Sequence, residues 1–249
     1  MINAKNYGAL GNAYLDGEGR LCIKDDTGVL LKNNSGNISL TQDENNGTID
    51  YLQDDGPAIN TAIEQAFINF NGLLPNDAQG ATVYLPAGIY IIKTPIYARS
   101  VKLVGDGNAT VLVGACSMPD WKGGWKMGII NFGGYSVQLE SLSVMYDSRL
   151  LSGDESHAEK IGINCYCAPK TFYNAYSWEL NENKGPGPGS SVRNVNIYYV
   201  GTAIFSQENP NDPNPPNGFW SVSFDAVFIS RITYRGFDMQ RTGTTGSVY

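Results

Sequence analysis

Residues 194–205, NVNIYYVGTAIF, and residues 226–237, AVFISRITYRGF, are two loose copies of one pattern. Each opens on a short apolar alternation, Val195-Asn196-Ile197 in the first and Val227-Phe228-Ile229 in the second. Each closes on a second apolar element containing glycine, Gly201-Thr202-Ala203-Ile204 and Arg235-Gly236-Phe237. A third copy starts at Leu142-Ser143-Val144 and closes at Ile161-Gly162-Ile163. Weak self-similarity broken by irregular insertions is the mark of a parallel β-solenoid, because each coil stacks its apolar positions on the next.

Working back along the chain, GATVYLPAGIYIIKTPI (residues 80–96) holds short strands at 83–85 and 90–92 around Pro86-Ala87-Gly88. VKLVGDGNATVLVG (residues 101–114) repeats the arrangement, with strands at 101–104 and 111–113 around Gly105-Asp106-Gly107-Asn108. Antiparallel hairpins are one reading of such pairs; the later repeats favour coil turns. Before them, DDGPAINTAIEQAFINFNG (residues 54–72) places Ala58, Ile59, Ala62, Ile63, Ala66, Phe67 and Phe70 on one stripe. That period predicts a helix over 58–70, with Asp54 or Asp55 at its cap, Pro57 in its first turn and Asn71-Gly72 as its stop.

The insertions carry the chemistry-bearing residues. Residues 147–160 are dense in charge and hold the single histidine, His157. Residues 114–128 carry Trp121, Lys122, Trp125 and Lys126, residues 168–190 carry Phe172, Tyr173, Tyr176 and Trp178, and residues 206–218 form an Asn/Pro loop. On a rigid solenoid such segments protrude, and binding residues concentrate there.

The chain has 249 residues, a formal charge of −7, and 16% charged residues, low for a globular protein. Polarity comes instead from 24 Asn beside 29 Gly and 15 Tyr. Asn and Gly suit tight coil turns, where positive φ and side-chain amide ladders are useful. The acidic balance without a basic run disfavours nucleic acid as partner. No apolar stretch is long enough to predict membrane insertion. Cys22, Cys116, Cys165 and Cys167 lack disulfide or zinc spacing and are read as free, mostly buried thiols.

The ordered trio NAKNYGALG (residues 3–11), DDGPAINTAIEQA (residues 54–66) and GATVYLPAGIYIIKTPI followed by VKLVGDG (residues 80–107) resembles the entry to the pectate-lyase superfamily. The resemblance implies an all-β, single-stranded right-handed parallel β-helix with an N-terminal capping α-helix. It covers residues 3–11 and 54–107, and is specific for fold but nearly silent on chemistry. The superfamily includes phage tailspikes, capsule depolymerases, pectin-cleaving enzymes and fungal glucanases. Two departures stand out. About forty residues are inserted between Gly11 and Asp54, and Gly56 replaces the family threonine after the Asp pair. The expected organisation is a neck- or cap-like segment over 1–53 and a β-helix over 54–249, with its C-terminal end covered by further chain or another subunit. Asp54 and Asp55 belong to the structural motif.

Glycan hydrolysis needs two carboxylates, whereas a lyase needs a base with acids holding calcium on a uronate. The catalytic candidates are Asp147, Asp154, Glu155, Glu159, Asp225 and Asp238. Any one of them is ordinarily a solvated surface acid. For glycan binding, sugar faces stack on aromatic rings, which points to Trp121, Trp125, Tyr173, Tyr176 and Trp178. Arg231 and Arg235 offer a positive ledge for an acidic sugar. His157 lacks further ligands at metal spacing, so no metal or cofactor is expected. The combined expectation is a tailspike-like receptor-binding protein that recognises a bacterial surface polysaccharide, with or without depolymerising it. The resemblance further implies a homotrimer on a virion tail. The alternatives are a secreted polysaccharide lyase or glycoside hydrolase, and a non-catalytic spike segment.

Overall fold

The computed structural model describes residues 1–22, 53–71, 81–99, 101–119, 126–133, 136–151, 155–165, 189–206 and 222–239. The chain opens with β1 (Ile2–Asn3), a 3-10 turn, and an antiparallel pair, β2 (Tyr14–Leu15) with β3 (Leu21–Cys22). Helix α1 (Gly56–Asn71) follows. Coil one consists of β4 (Thr82–Leu85), β5 (Gly88–Ile92) and β6 (Ile96–Arg99). Coil two consists of β7 (Lys102–Gly105), β8 (Thr110–Gly114) and β9 (Gly128–Gly133). Coil three is β10 (Gln138–Tyr146) with β11 (Ile161–Asn164), and coils four and five are the long strands β12 (Ser191–Ser206) and β13 (Ser223–Met239).

Every pairing between coils is parallel. Face one stacks β1, β4, β7 and the first parts of β10, β12 and β13. Face two stacks β5, β8 and the second parts of β10, β12 and β13, and face three stacks β6, β9, β11 and the ends of β12 and β13. The fold is a right-handed parallel β-helix, the hand that parallel crossovers adopt almost without exception. The strands at 83–85 and 90–92 do not pair with each other, so the hairpin reading is excluded; each instead pairs with its equivalent one coil on.

Three apolar ladders fill the interior because alternate strand residues point inward and the register is preserved from coil to coil. Val83, Leu103, Leu139, Val192 and Phe224 form the first. Tyr90, Leu112, Val144, Ile197 and Ile229 form the second, and Ile96, Ile130, Ile163, Ile204 and Phe237 the third. The repeat read from the sequence is this register: Leu142 aligns with Val195 and Val227, and Ile163 with Ile204 and Phe237. At the last rung the rings of Phe224 and Phe237 meet edge to face, 5.8 Å apart. Residues 240–249, on which the expectation of an uncovered end rests, lie outside the described residues.

The corners depart from expectation. A single left-handed residue turns β10, β12 and β13 from face one to face two: Ser141 (φ 55°), Asn194 (φ 50°) and Ala226 (φ 50°). Tyr199 (φ 49°) and Arg231 (φ 53°) turn β12 and β13 from face two toward face three. Only Asn194 is the residue type expected there. The left-handed conformation costs a β-carbon-bearing residue about 1–2 kcal/mol, and ladder hydrogen bonds on both sides hold it in place. Asn194 Nδ2 donates to Ser141 Oγ at 3.2 Å on the neighbouring rung. The clearest amide ladder lies within strands of face three, where Asn164 Nδ2 donates to Asn131 Oδ1 at 3.2 Å, both side chains being buried.

Helix α1 lays Ile59, Ala62, Ile63 and Ala66 against the first coil. Asp54 caps it by accepting from Gly56 N at 3.0 Å, and also takes the Lys93 N–H (3.0 Å) and the Thr94 hydroxyl (2.7 Å). Buried Asp55 accepts from Leu10 N at 2.7 Å and Ile91 N at 2.9 Å, joining the N-terminal segment to coil one. These bonds bear out the structural reading of the Asp pair. The 14–22 hairpin covers part of face two from outside, packing Leu21 and Cys22 against Ile91, Val111, Val113 and Met145. The Asp147 carboxylate fastens it by accepting from Leu21 N at 2.9 Å. The inserted residues 23–52 lie outside the described residues.

Candidate functional site

Outward residues of face one form two rows, since positions i and i+2 share a face and the register repeats at each coil. One row runs Thr82, Lys102, Gln138, Ser191, Ser223. The other runs Tyr84, Val104, Glu140, Arg193, Asp225. Arg193 and Asp225 are exposed, and the Glu140 carboxylate forms an ion pair with Lys102 Nζ. Adjacent rungs are about 4.8 Å apart, so Glu140 and Asp225 flank Arg193 across two rungs, about 10 Å between backbones. The result is a strip of alternating acceptors and donors parallel to the helix axis, half-buried at Glu140 and exposed at Arg193 and Asp225. Asp225 was legible as a candidate; Glu140, Arg193 and Lys102 were not, because only the stacking brings them together.

The insertions divide between two corners. Residues 115–127 and 147–160 leave between faces two and three, whereas 165–190 and 207–222 leave between faces three and one of the next coil. At the first corner Lys126 Nζ and Glu159 Oε1 pair at 2.7 Å. Next to it Lys160 is buried, and its ammonium donates to the hydroxyl of exposed Ser117. Burial lowers the Lys160 pKa, against the opposing pull of the Glu159 charge. The Lys160 carbonyl accepts the Gly201 and Thr202 N–H groups at 2.9 and 3.2 Å, so coil four anchors this residue's backbone. Burial likewise raises the thiol pKa of neighbouring Cys116.

The remaining candidates separate. Asp147 is completely buried, its Oδ1 accepting from Arg149 N (3.0 Å) and Nε (2.9 Å) and its Oδ2 from Leu21 N, so its carboxylate serves the scaffold. Asp238 pairs with Arg235 at 3.0 Å, and Arg235 lies 4.8 Å over the Tyr234 ring. Arg231 stacks on Tyr199 at 4.8 Å one rung away, at the same corner as the charged insertion. Glu155 opens a 3-10 turn (Glu155–Glu159). Its side chain, with Asp154, Trp121, Trp125, Tyr173, Tyr176 and Trp178, lies outside the described residues. Among the described residues no group of three or more His, Cys, Asp or Glu is placed to hold a metal ion. Cys22, Cys116 and Cys165 are free thiols.

A sequence profile of the rhamnogalacturonase A/epimerase, pectate lyase-like family matches residues 44–183, more than half of the chain. The chain belongs to this family. Among solved structures it is similar to the A-module of mannuronan C-5 epimerase AlgE6 from Azotobacter vinelandii. That match has 16% identity and a TM-score of 0.48, over 96% of this chain and 52% of that one. It is also similar to ORF18 of Geobacillus virus E2, with 14% identity and a TM-score of 0.44, over 92% of this chain and 38% of that one. A third is PfbA, a surface adhesin of Streptococcus pneumoniae, with 12% identity and a TM-score of 0.34, over 92% of this chain and 61% of that one. The chain thus spans about half the length of the epimerase module. No curated protein sequence matches it. In this pectate lyase-like chain, the described polar surface with the greatest register continuity is the face-one strip.

Proposed function

We propose that this pectate lyase-like β-helix recognises a bacterial surface polysaccharide along face one, as part of a phage tailspike-type receptor-binding protein. The observation that carries the reading is the Glu140–Arg193–Asp225 row, extended by Lys102 and the hydroxyl of exposed Ser223. A glycan lying along the axis meets a fresh set of donors and acceptors at each rung, and its hydroxyls can both donate and accept. The net charge of −7 makes local cations necessary for an acidic glycan, and Lys102 and Arg193 supply them within the strip. Trimeric assembly and placement on a virion tail belong to this proposal through the tailspike resemblance.

Glu140 and Asp225 favour hydrolysis as the activity. They lie in one outward row on either side of Arg193, and so supply the two carboxylates that glycoside hydrolysis needs. A secreted hydrolase of the same family would use the same pair.

The test is binding to, and cleavage of, capsular and lipopolysaccharide glycans from a bacterial panel. Binding is read by glycan array, hydrolysis by new reducing ends, and elimination by ultraviolet absorbance of an unsaturated uronate. Binding that weakens at least tenfold in Arg193→Ala, and cleavage lost in Glu140→Gln and Asp225→Asn, supports the reading. Binding unaffected by all three substitutions removes face one as the site.

A further inference from the structure

Ser117 and Lys160 meet at the corner between faces two and three, though they belong to the insertions of different coils. Ser117 is exposed, whereas Lys160 retains only 5% exposure, and the two are hydrogen-bonded through Oγ and Nζ. Among the described residues no carboxylate pairs with the Lys160 ammonium. The adjacent carboxylate, Glu159, is engaged by Lys126 at 2.7 Å. An amine taken out of water, with the adjacent carboxylate engaged by another cation, gives up its proton more readily than an exposed lysine, and a neutral amine can accept a hydroxyl proton. The backbone at position 160 is fixed by coil four, so the amine projects from a rigid base rather than a free loop. Nothing in the face-one reading uses these residues.

We propose that Ser117 and Lys160 form an acyl-transfer pair that removes ester-linked acyl groups, such as O-acetyl, with Ser117 Oγ as nucleophile and Lys160 Nζ as general base. Serine–lysine pairs of this kind serve the same logic as a serine–histidine pair. In the first step the Ser117 hydroxyl proton passes to Lys160 Nζ while Oγ bonds to the ester carbonyl carbon, and the π electron pair moves onto the carbonyl oxygen. Collapse of the tetrahedral species breaks the bond to the alkoxy oxygen, which takes the proton back from the Lys160 ammonium and leaves as alcohol. Water then attacks the acyl-Ser117 ester by the same route, releasing the carboxylic acid and restoring Ser117. That the natural ester is carried by a glycan rests on the polysaccharide reading; the pair's reactivity does not.

The test uses the full chain with 4-nitrophenyl acetate and, separately, an alkyl fluorophosphonate. Wild-type protein is expected to release nitrophenolate and to take up one phosphonyl group on Ser117, located by peptide mass spectrometry. Ser117→Ala should lose both the label and about 100-fold or more of the rate. Lys160→Arg keeps the charge but cannot give up its proton at accessible pH, so it should lose the rate while remaining folded by circular dichroism. Cys116→Ser should leave the rate within about twofold, since the neighbouring thiol takes no part. The wild-type rate should climb with pH through a range below that of an ordinary lysine. Hydrolysis that is equal in wild type and Ser117→Ala, or labelling at another residue, overturns the proposal. Because the ester assay contains no glycan, failure of glycan binding leaves its result intact, and the two readings stand or fall separately.

Discussion

Gly201 runs directly beneath the backbone carbonyl of His157, so closely that a β-carbon at position 201 would occupy the space of that oxygen. The contact joins the charged insertion of coil three to the start of face three in coil four. It also lets Gly201 N donate to Lys160 O at 2.9 Å. Gly201→Ala must displace backbone rather than a flexible side chain, and should destabilise the protein by about 3 kcal/mol or more. Gly236 supplies the control. It aligns with Ala203 one rung below, and among the described residues an added β-carbon meets nothing closer than Ile229 Cγ2 at 4.0 Å. Gly236→Ala should therefore change stability by no more than about 0.5 kcal/mol in denaturant unfolding.

The left-handed corner of coil five is occupied by Ala226, where coils three and four use Ser141 and Asn194. Asn tolerates this conformation better than Ala and can extend the side-chain ladder begun by Asn194 and Ser141. Ala226→Asn should stabilise the protein by about 0.5–1 kcal/mol, seen as a rise of a few degrees in Tm. An unchanged or lower Tm would show that this corner is already relaxed.

The ion pair at Asp147 has unequal partners, with the carboxylate wholly buried and Arg149 29% exposed on its side chain. Asp147→Asn removes the charge and presents an amide to donors that need an acceptor. It should cost about 3 kcal/mol and loosen the 14–22 hairpin before the coils. Hydrogen exchange at Leu21 and Ser148, whose N–H groups bond across this contact, should accelerate well before exchange at Val144 does.

Lys160 makes stability depend on alkaline pH. Its pKa is lowered by burial in the folded state, so between that value and the ordinary 10.5 the unfolded chain binds more protons than the native one. Stability should rise with pH across that window, and Lys160→Met should remove this part of the slope. Denaturant unfolding of both proteins at intervals from neutral pH to the ordinary lysine range checks the sign. A wild-type slope no steeper than the mutant's would mean that Lys160 is charged when folded.

The core was readable because its signal is local and repeated. Leu142, Val195 and Val227 each sit in a short apolar alternation, and the structure stacks those alternations rung on rung. Helix α1 was readable for the same reason, its stripe of Ile59, Ala62, Ile63 and Ala66 being complete within one segment. Glu140 beside Arg193, and Ser117 beside Lys160, were not. Each residue looks like an ordinary surface position in its own segment, and only the register of distant coils gives it a partner. Asp147 shows the converse: a charged residue in a charged insertion, read as a catalytic candidate, is buried because the N-terminal hairpin closes over it. Tyr199 and Arg231 at left-handed corners were likewise invisible, since the ladders on either side impose a conformation that their own side chains disfavour.

The bond from Leu21 to Asp147 spans 126 positions of sequence. During synthesis the hairpin leaves the ribosome before the coils, yet its fastening point is made only after coils one and two and the first strand of coil three have followed. At ordinary elongation rates of roughly 5–20 residues per second, that interval is on the order of 10 seconds. For that time Leu21 and Cys22 have no completed outer wall of face two to settle on. The 14–22 hairpin therefore reaches its final place later than the first two coils made after it, and the nascent protein must keep it from straying while the surface it will cover is still being made.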